Sequence, residues 1–250
     1  MQKPRDRARS GRGVRAAILG SLVVAWGCGD VPIGTFPITG GSDGTGPSTG
    51  GDTGTAFPGG CVEAPFEGIE SGQWTTWADA DAMVTADDGR LTLLPATSGE
   101  AGTGLVLDIA SAFDFSAARV VAEVITPPDP SSESELFLQV TQQSPPTGAV
   151  LSLALYQNAV RTTVAGDDGV REMTGPLAAA YPRWIGIRTA DGVVYFETSD
   201  DGDRWTTLTS ADQPAAFDGA TPLVMVWNNA TDATIDPQPV AVDNVSICAE

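Results

Sequence analysis

Carboxylates and aromatic rings would have to carry any chemistry in this chain. Its 250 residues include 32 Asp and Glu, 13 Lys and Arg and no histidine. A Ser-His or Cys-His nucleophile pair, an imidazole base and a His-ligated metal are therefore excluded. Two carboxyls can hydrolyse a glycosidic bond, one protonating the leaving oxygen and the other facing the anomeric carbon. Glu133-Ser134-Glu135 comes nearest to such a pair, because positions i and i+2 of a strand share one side about 6.5–7 Å apart. The preceding run Pro127-Pro128-Asp129-Pro130-Ser131-Ser132, however, makes a solvated acidic loop the expectation. Calcium is the cofactor that the many loop carboxylates suggest, with Asp79, Asp81, Asp87, Asp88 and Asp243 as ligands if the terminal strands pair; no complete calcium-loop signature is present. For sugar recognition the need is a ring against an apolar sugar face, flanked by amides or carboxylates. Trp184 with Tyr195, and Trp227 with Asn228 and Asn229, supply those groups, and Trp74 and Trp77 lie near the start of the same region.

The elements that must position these residues read as antiparallel strands. In the stretch 183–208, Asp191-Gly192 and Asp201-Gly202 separate alternating runs, and Asp-Gly suits the positive φ angles of a two-residue hairpin. A two-residue turn at Asp191-Gly192 sets Ile187 opposite Phe196, Ile185 opposite Thr198, Arg188 opposite Tyr195 and Trp184 opposite Ser199. Ile185, Ile187, Val194 and Phe196 then share the core face, leaving Trp184 and Tyr195 on the other. Asp88-Gly89, Asp168-Gly169 and Asp218-Gly219 repeat the signal, and further strands are expected at 90–94, 119–125, 135–141, 150–157, 160–164, 170–173, 221–227 and 240–247. Helical periodicity is nearly absent, so residues 61–250 are predicted to form one two-sheet sandwich.

Charge is unevenly placed before that domain. Lys3, Arg5, Arg7, Arg9, Arg12 and Arg15 precede an apolar run at 16–27. As a helix that run would rise only about 18 Å, too short for a hydrocarbon core of roughly 30 Å, so residues 1–27 read as a secretory signal. Val24-Ala25-Trp26-Gly27-Cys28 resembles the lipobox of bacterial lipoproteins, which implies lipidation at Cys28. Lipid on Cys28 would leave Cys61 and Cys248 to pair as a disulfide, removing the odd thiol of an exported chain. Residues 28–60, rich in Gly, Ser, Thr and Asp, are expected to be a disordered linker with an r.m.s. span of about 30 Å. From Cys28 on there are 31 acids against seven arginines and no lysine, which argues against nucleic acid and anionic membrane surfaces as partners.

Several strings occur in an order similar to that of the concanavalin A-like lectin/glucanase superfamily, in its laminin-G-like bacterial branch. They are Ser71-Gly72-x-Trp74, residues 88–93, Trp184-Ile-Gly-Ile-Arg188, residues 194–199 with Asp201-Gly202-x-x-Trp205, and Val242-Asp243-Asn244-Val245-Ser-Ile247. The resemblance covers 61–250 and implies an antiparallel jelly-roll sandwich with adjacent terminal strands, which would set Cys61 beside Cys248. Glycanases of the superfamily carry Glu-x-Asp-x-x-Glu on one strand, and no such string occurs here. Residues 199–205 are also similar to the Asp-box of sialidases, a turn-stabilising motif, so Asp201 and Trp205 read as structural. The resulting expectation is an exported, lipid-anchored monomer of the bacterial cell envelope, touching membrane through its lipid alone. Its domain is expected to be non-enzymatic and to bind a glycan or cell-surface polymer at Trp184, Tyr195, Trp227 and Asn228. A structural or adhesive envelope protein and an unrecognised glycan hydrolase are the alternatives.

Overall fold

The computed structural model describes residues 60–250 except 65, 67–73, 79–80, 96–101, 109–114, 133, 143–148, 178–179, 218–221 and 231–237. All of them belong to the second of two compact units, 47–250, so the expected signal, Cys28 and nearly all of the linker lie outside the described residues. The strands are β1 (Cys61–Glu63), β2 (Trp74–Ala78), β3 (Met83–Asp87), β4 (Arg90–Leu94) and β5 (Gly102–Asp108). They continue as β6 (Ala118–Thr126), β7 (Ser134–Gln142), β8 (Val150–Tyr156), β9 (Ala159–Gly166) and β10 (Gly169–Pro176). The last five are β11 (Trp184–Ala190), β12 (Val193–Ser199), β13 (Thr206–Asp212), β14 (Pro222–Ala230) and β15 (Val240–Ala249). Among the described residues no helix is long and apolar enough to cross a membrane.

Two antiparallel sheets face each other, as predicted for a jelly-roll sandwich. The eight-stranded sheet runs β13-β12-β11-β6-β15-β4-β3, with β1 beside the second half of β15. The seven-stranded sheet runs β10-β9-β8-β7-β14-β5-β2. Alternation decides which side chains enter the space between them. Ile185, Ile187 and Phe196 from one sheet and Leu138, Leu153 and Val226 from the other are at most 1% exposed and belong to one apolar cluster. Burying each such side chain contributes roughly 1.5–3 kcal/mol, and this drives the two inner faces together.

The hairpins are made where the turn residues accept positive φ. Asp191 and Gly192 have φ of 52° and 74°, and the four cross-strand pairs expected around them are all present. Asp88 and Gly89 close β3 to β4 in the same way. The other Asp-Gly pairs differ. Between β9 and β10 the turn residues are Asp167 and Asp168, and Gly169 already pairs with Gly166. Only Gly202 of Asp201-Gly202 has positive φ, in a longer loop. Asp218-Gly219 lies outside the described residues. Gln157 and Asn158 form a turn of positive φ that their residue types announce only weakly.

The chain's two ends meet on the eight-stranded sheet. Cys61 pairs in register with Cys248, and their sulfurs form the predicted disulfide.

Candidate functional site

The outer face of the seven-stranded sheet collects the groups best suited to chemistry. One ladder row runs from Trp77 through Gly104, Trp227, Phe137 and Ala154 to Arg161. Phe137 and Trp227 stand as stacked rings, with centroids 4.0 Å apart and planes 6° from parallel. The Trp227 indole N–H donates to Gln139 Oε1 at 3.2 Å. Gly104 lets Trp77 lie against this row, since a Cβ there would run into the Trp77 ring and the Trp227 Cβ. The Arg161 guanidinium lies 5.8 Å from the Phe137 centroid and 5.1 Å from that of Tyr156. Two such cation–ring contacts favour an immobile arginine.

One row further on, Asn229 faces Glu135 across β14 and β7. Glu135 is 8% exposed, and its Oε2 accepts from Arg161 Nη2 at 2.6 Å. The solvated loop expected around Glu135 is thus corrected: Pro127 to Ser132 do precede the strand, but Glu135 is already inside it. Its charge is buried because a cation meets it. Glu133 lies outside the described residues. Asn229 is 7% exposed and its Oδ1 has no hydrogen-bond partner. A buried carbonyl oxygen left without a donor is costly, and a ligand hydroxyl would relieve it. A carboxylate, an unpaired amide and a phenol beside a floor of rings can hold sugar hydroxyls and stabilise positive charge on a sugar ring.

The structure distributes the sequence-predicted ligand residues over three surfaces. Trp227 is on the face just described, with one ring face already taken by Phe137. Asn228 is fully buried between the sheets, where its Nδ2 donates to the Leu93 carbonyl of the opposite sheet at 3.2 Å. Alternation along β14 sends it inward, so it is corrected from a ligand-facing position to a core one. Trp184 and Tyr195 are on the outer face of the eight-stranded sheet, their expected non-core side. That face is knit by its own ion pairs. Glu197 meets Arg188 at 3.0 Å and Arg119 at 3.3 Å, and Arg119 meets Glu250 at 2.9 Å. Arg188 covers the Tyr195 ring at 4.0 Å, Arg119 lies over Trp205 at 5.1 Å, and Trp205 lies on Gly186. The hydrogen bonds to Glu197 hold the Arg188 guanidinium above its ordinary pKa, against the opposing effect of burial.

Of the described residues among the expected calcium ligands, Asp87 and Asp243 come to one end of the strands and Asp81 to the other. Continuing the register of β3, β4 and β15 puts Asp243 beside the Asp87–Arg90 end, whereas Asp81 precedes the opposite end, about 20 Å away along the strand. Asp79 lies outside the described residues. Among the described residues no three metal-ligating side chains cluster.

Phe137, Gln139 and Arg161 on this face are not among the residues expected from the sequence, and Glu135 is expected in a loop. The signal for 135, 137 and 139 is the alternation of β7, which puts all three on one face.

Solved structures with this arrangement of strands include an endo-β-1,3-glucanase from Pyrococcus furiosus, at TM-score 0.57 and 13% identity over 75% of this chain and 93% of that one. A laminarinase from Flavobacterium sp. superposes at 0.56 with 11% identity, covering 76% and 99%. The domain has the jelly-roll fold of these glucanases. A protein of unknown function from Shewanella oneidensis shares it at 0.54 and 13% identity, over 82% of this chain and 96% of that one. At such identities the likeness is one of fold. No family model matches the chain, and no curated protein matches it in sequence. The neighbours are mainly endo-glucanases and laminarinases, which counts against the expectation of a non-enzymatic binding domain, although the likeness itself extends to the fold alone.

Proposed function

We propose that the domain is a glycan hydrolase that cuts within β-linked glucan chains, with the outer face of its seven-stranded sheet as the active face. The observation that carries this reading is Glu135, a buried and ion-paired carboxylate set between Asn229 and the Tyr156 level of β8, on a fold shared with endo-glucanases. In glycoside hydrolysis the bond between the anomeric carbon and the bridging oxygen breaks with its electron pair leaving on that oxygen, which takes a proton from a carboxylic acid. The positive charge left on the sugar ring is met by a carboxylate; water then adds its hydroxyl to the anomeric carbon and returns a proton to the acid. Glu135 is the carboxylate in this scheme. Glu133, two positions earlier in the sequence, is the acid that the sequence offers.

Release of reducing ends from a β-1,3-glucan and from a mixed-linkage β-glucan tests the reading. The wild-type protein should release them, and Glu135→Gln should lower kcat/KM by about 100-fold or more. Full activity in folded Glu135→Gln would overturn it.

A further inference from the structure

The hydrolase reading assigns no role to Arg161, yet its setting is unusual. Residues 28–250 carry 31 acids and seven basic residues, so a cation in the middle of the active face is scarce material. Among the described residues, alternation along β7, β8, β9, β14, β5 and β2 puts one basic side chain on the outer face of those strands, and it is Arg161. It stands on β9, but its guanidinium crosses β8 to reach Glu135 on β7. Ala154, which separates Phe137 from Arg161 in the ladder row, leaves the path open and is 1% exposed. Any longer side chain there would stand in the way.

A run of contacts fixes the guanidinium. Gln139 orients Trp227, Trp227 stacks on Phe137, and the rings of Phe137 and Tyr156 flank Arg161. The planar fork is thereby restricted to few rotamers before it bonds Glu135, so little orientational freedom is left to lose. The Glu135 side chain is 10% exposed and that of Arg161 26%, so their contact is only partly screened by water. Facing Glu135 from the strands packed against β7 are Asn229 on β14, which is neutral, and Tyr156 on β8, with Arg161 reaching in from β9.

We infer that Arg161 is a positioning residue that fixes the Glu135 carboxylate in one orientation and keeps it anionic, giving Glu135 the charge-stabilising role and not that of proton donor. The inference rests on the hydrolase reading. A general acid must keep its proton near neutral pH and is found where burial in an apolar setting disfavours the charge. A cation at contact distance does the opposite, lowering a carboxyl's pKa by about 1–3 units.

The experiment is the pH profile of kcat/KM on a soluble β-glucan for the full chain and for Arg161→Gln and Arg161→Lys, each checked for folding by its melting temperature. As pH falls, activity is lost when Glu135 takes a proton. With the cation beside the carboxylate gone, the acid limb of Arg161→Gln should move to higher pH, with kcat about tenfold lower. Arg161→Lys keeps the charge and loses the planar fork. Its acid limb should return toward the wild-type position while kcat stays depressed. An acid limb that does not move in folded Arg161→Gln overturns the inference, and so does an Arg161→Lys protein with wild-type kcat. If Arg161→Gln does not fold, the kcat of Arg161→Lys decides. Loss of activity in Glu135→Gln alongside an unmoved limb would sink the role of Arg161 alone, whereas an active Glu135→Gln would sink the hydrolase reading at this carboxylate.

Discussion

Asp201 shows how much a single side chain can fix when its partners are local. Its Oδ1 accepts from the backbone N–H groups of Arg204 at 2.8 Å and Asp203 at 2.9 Å. The Arg204 bond, followed by that of Asp203, favours the ionised form and lowers the carboxyl's pKa. Ser199 Oγ accepts from Gly202 N–H at 2.9 Å, and the Trp205 indole donates to the Gly202 carbonyl at 2.9 Å, so the turn closes on itself. A depressed carboxyl contributes stability above its unfolded pKa and loses that contribution as pH falls through the folded value. An NMR titration should therefore place the Asp201 midpoint below the ordinary aspartate value of about 3.9. A midpoint at or above that value would show that these hydrogen bonds do not persist in solution. This turn was legible from residue types because all its partners lie within seven consecutive positions. Glu135 was not, since the arginine that makes its burial tolerable is 26 residues away.

At the scale of elements, β1, β2, β3 and β5 fall outside the stretches where strands are expected. Segment β5 begins Gly-Thr-Gly, and its Gly104 is the small residue against which Trp77 rests on the outer face of the seven-stranded sheet. Replacing glycine in a strand usually gains up to about 1 kcal/mol by reducing the entropy lost on folding. At Gly104 a methyl group meets the Trp77 ring and the Trp227 Cβ, and overpacking of this kind costs about 1–3 kcal/mol. The second effect should win. Gly104→Ala is expected to lower the urea midpoint and, by displacing Trp77, to change the tryptophan fluorescence of the native state. An unchanged midpoint and spectrum would mean that Trp77 does not rest on Gly104. Hairpins tell the opposite story: Asp191-Gly192 fixed the register of β11 and β12 because a two-residue turn leaves only one pairing.

For the whole molecule, the Cys61–Cys248 bridge joins the first and last described strands across a separation of 187 residues. Chain-entropy reasoning assigns about 5 kcal/mol to closing so long a loop, and measured bridges commonly give about 2–4 kcal/mol. Much of that acts on the unfolded chain. Cys61→Ser/Cys248→Ser should thus unfold at lower urea concentration by an amount corresponding to about 2–4 kcal/mol, with a steeper transition because the released chain exposes more surface. Equal midpoints with and without the bridge would show that pairing of β1 with β15 already holds the ends without covalent help.

Sequence alone determined the class of fold and the register of one hairpin. Those follow from alternation and from the positive φ that Asp-Gly accepts; three thiols leave the pairing open unless Cys28 carries lipid, and it is the adjacent terminal strands that join Cys61 to Cys248. The sequence also excluded histidine chemistry outright. Which aromatic residues share a surface was decided only by the tertiary structure. Trp184, Trp227 and Asn228 look equivalent in the chain, but sheet membership and strand phase send them to three different surfaces. The ion pair of Glu135 with Arg161 likewise depends on strand order across β7, β8 and β9 and on a small residue at Ala154 to let the arginine cross. Periodicity shows that a side chain leaves the core; only the packed sheets settle what it then meets.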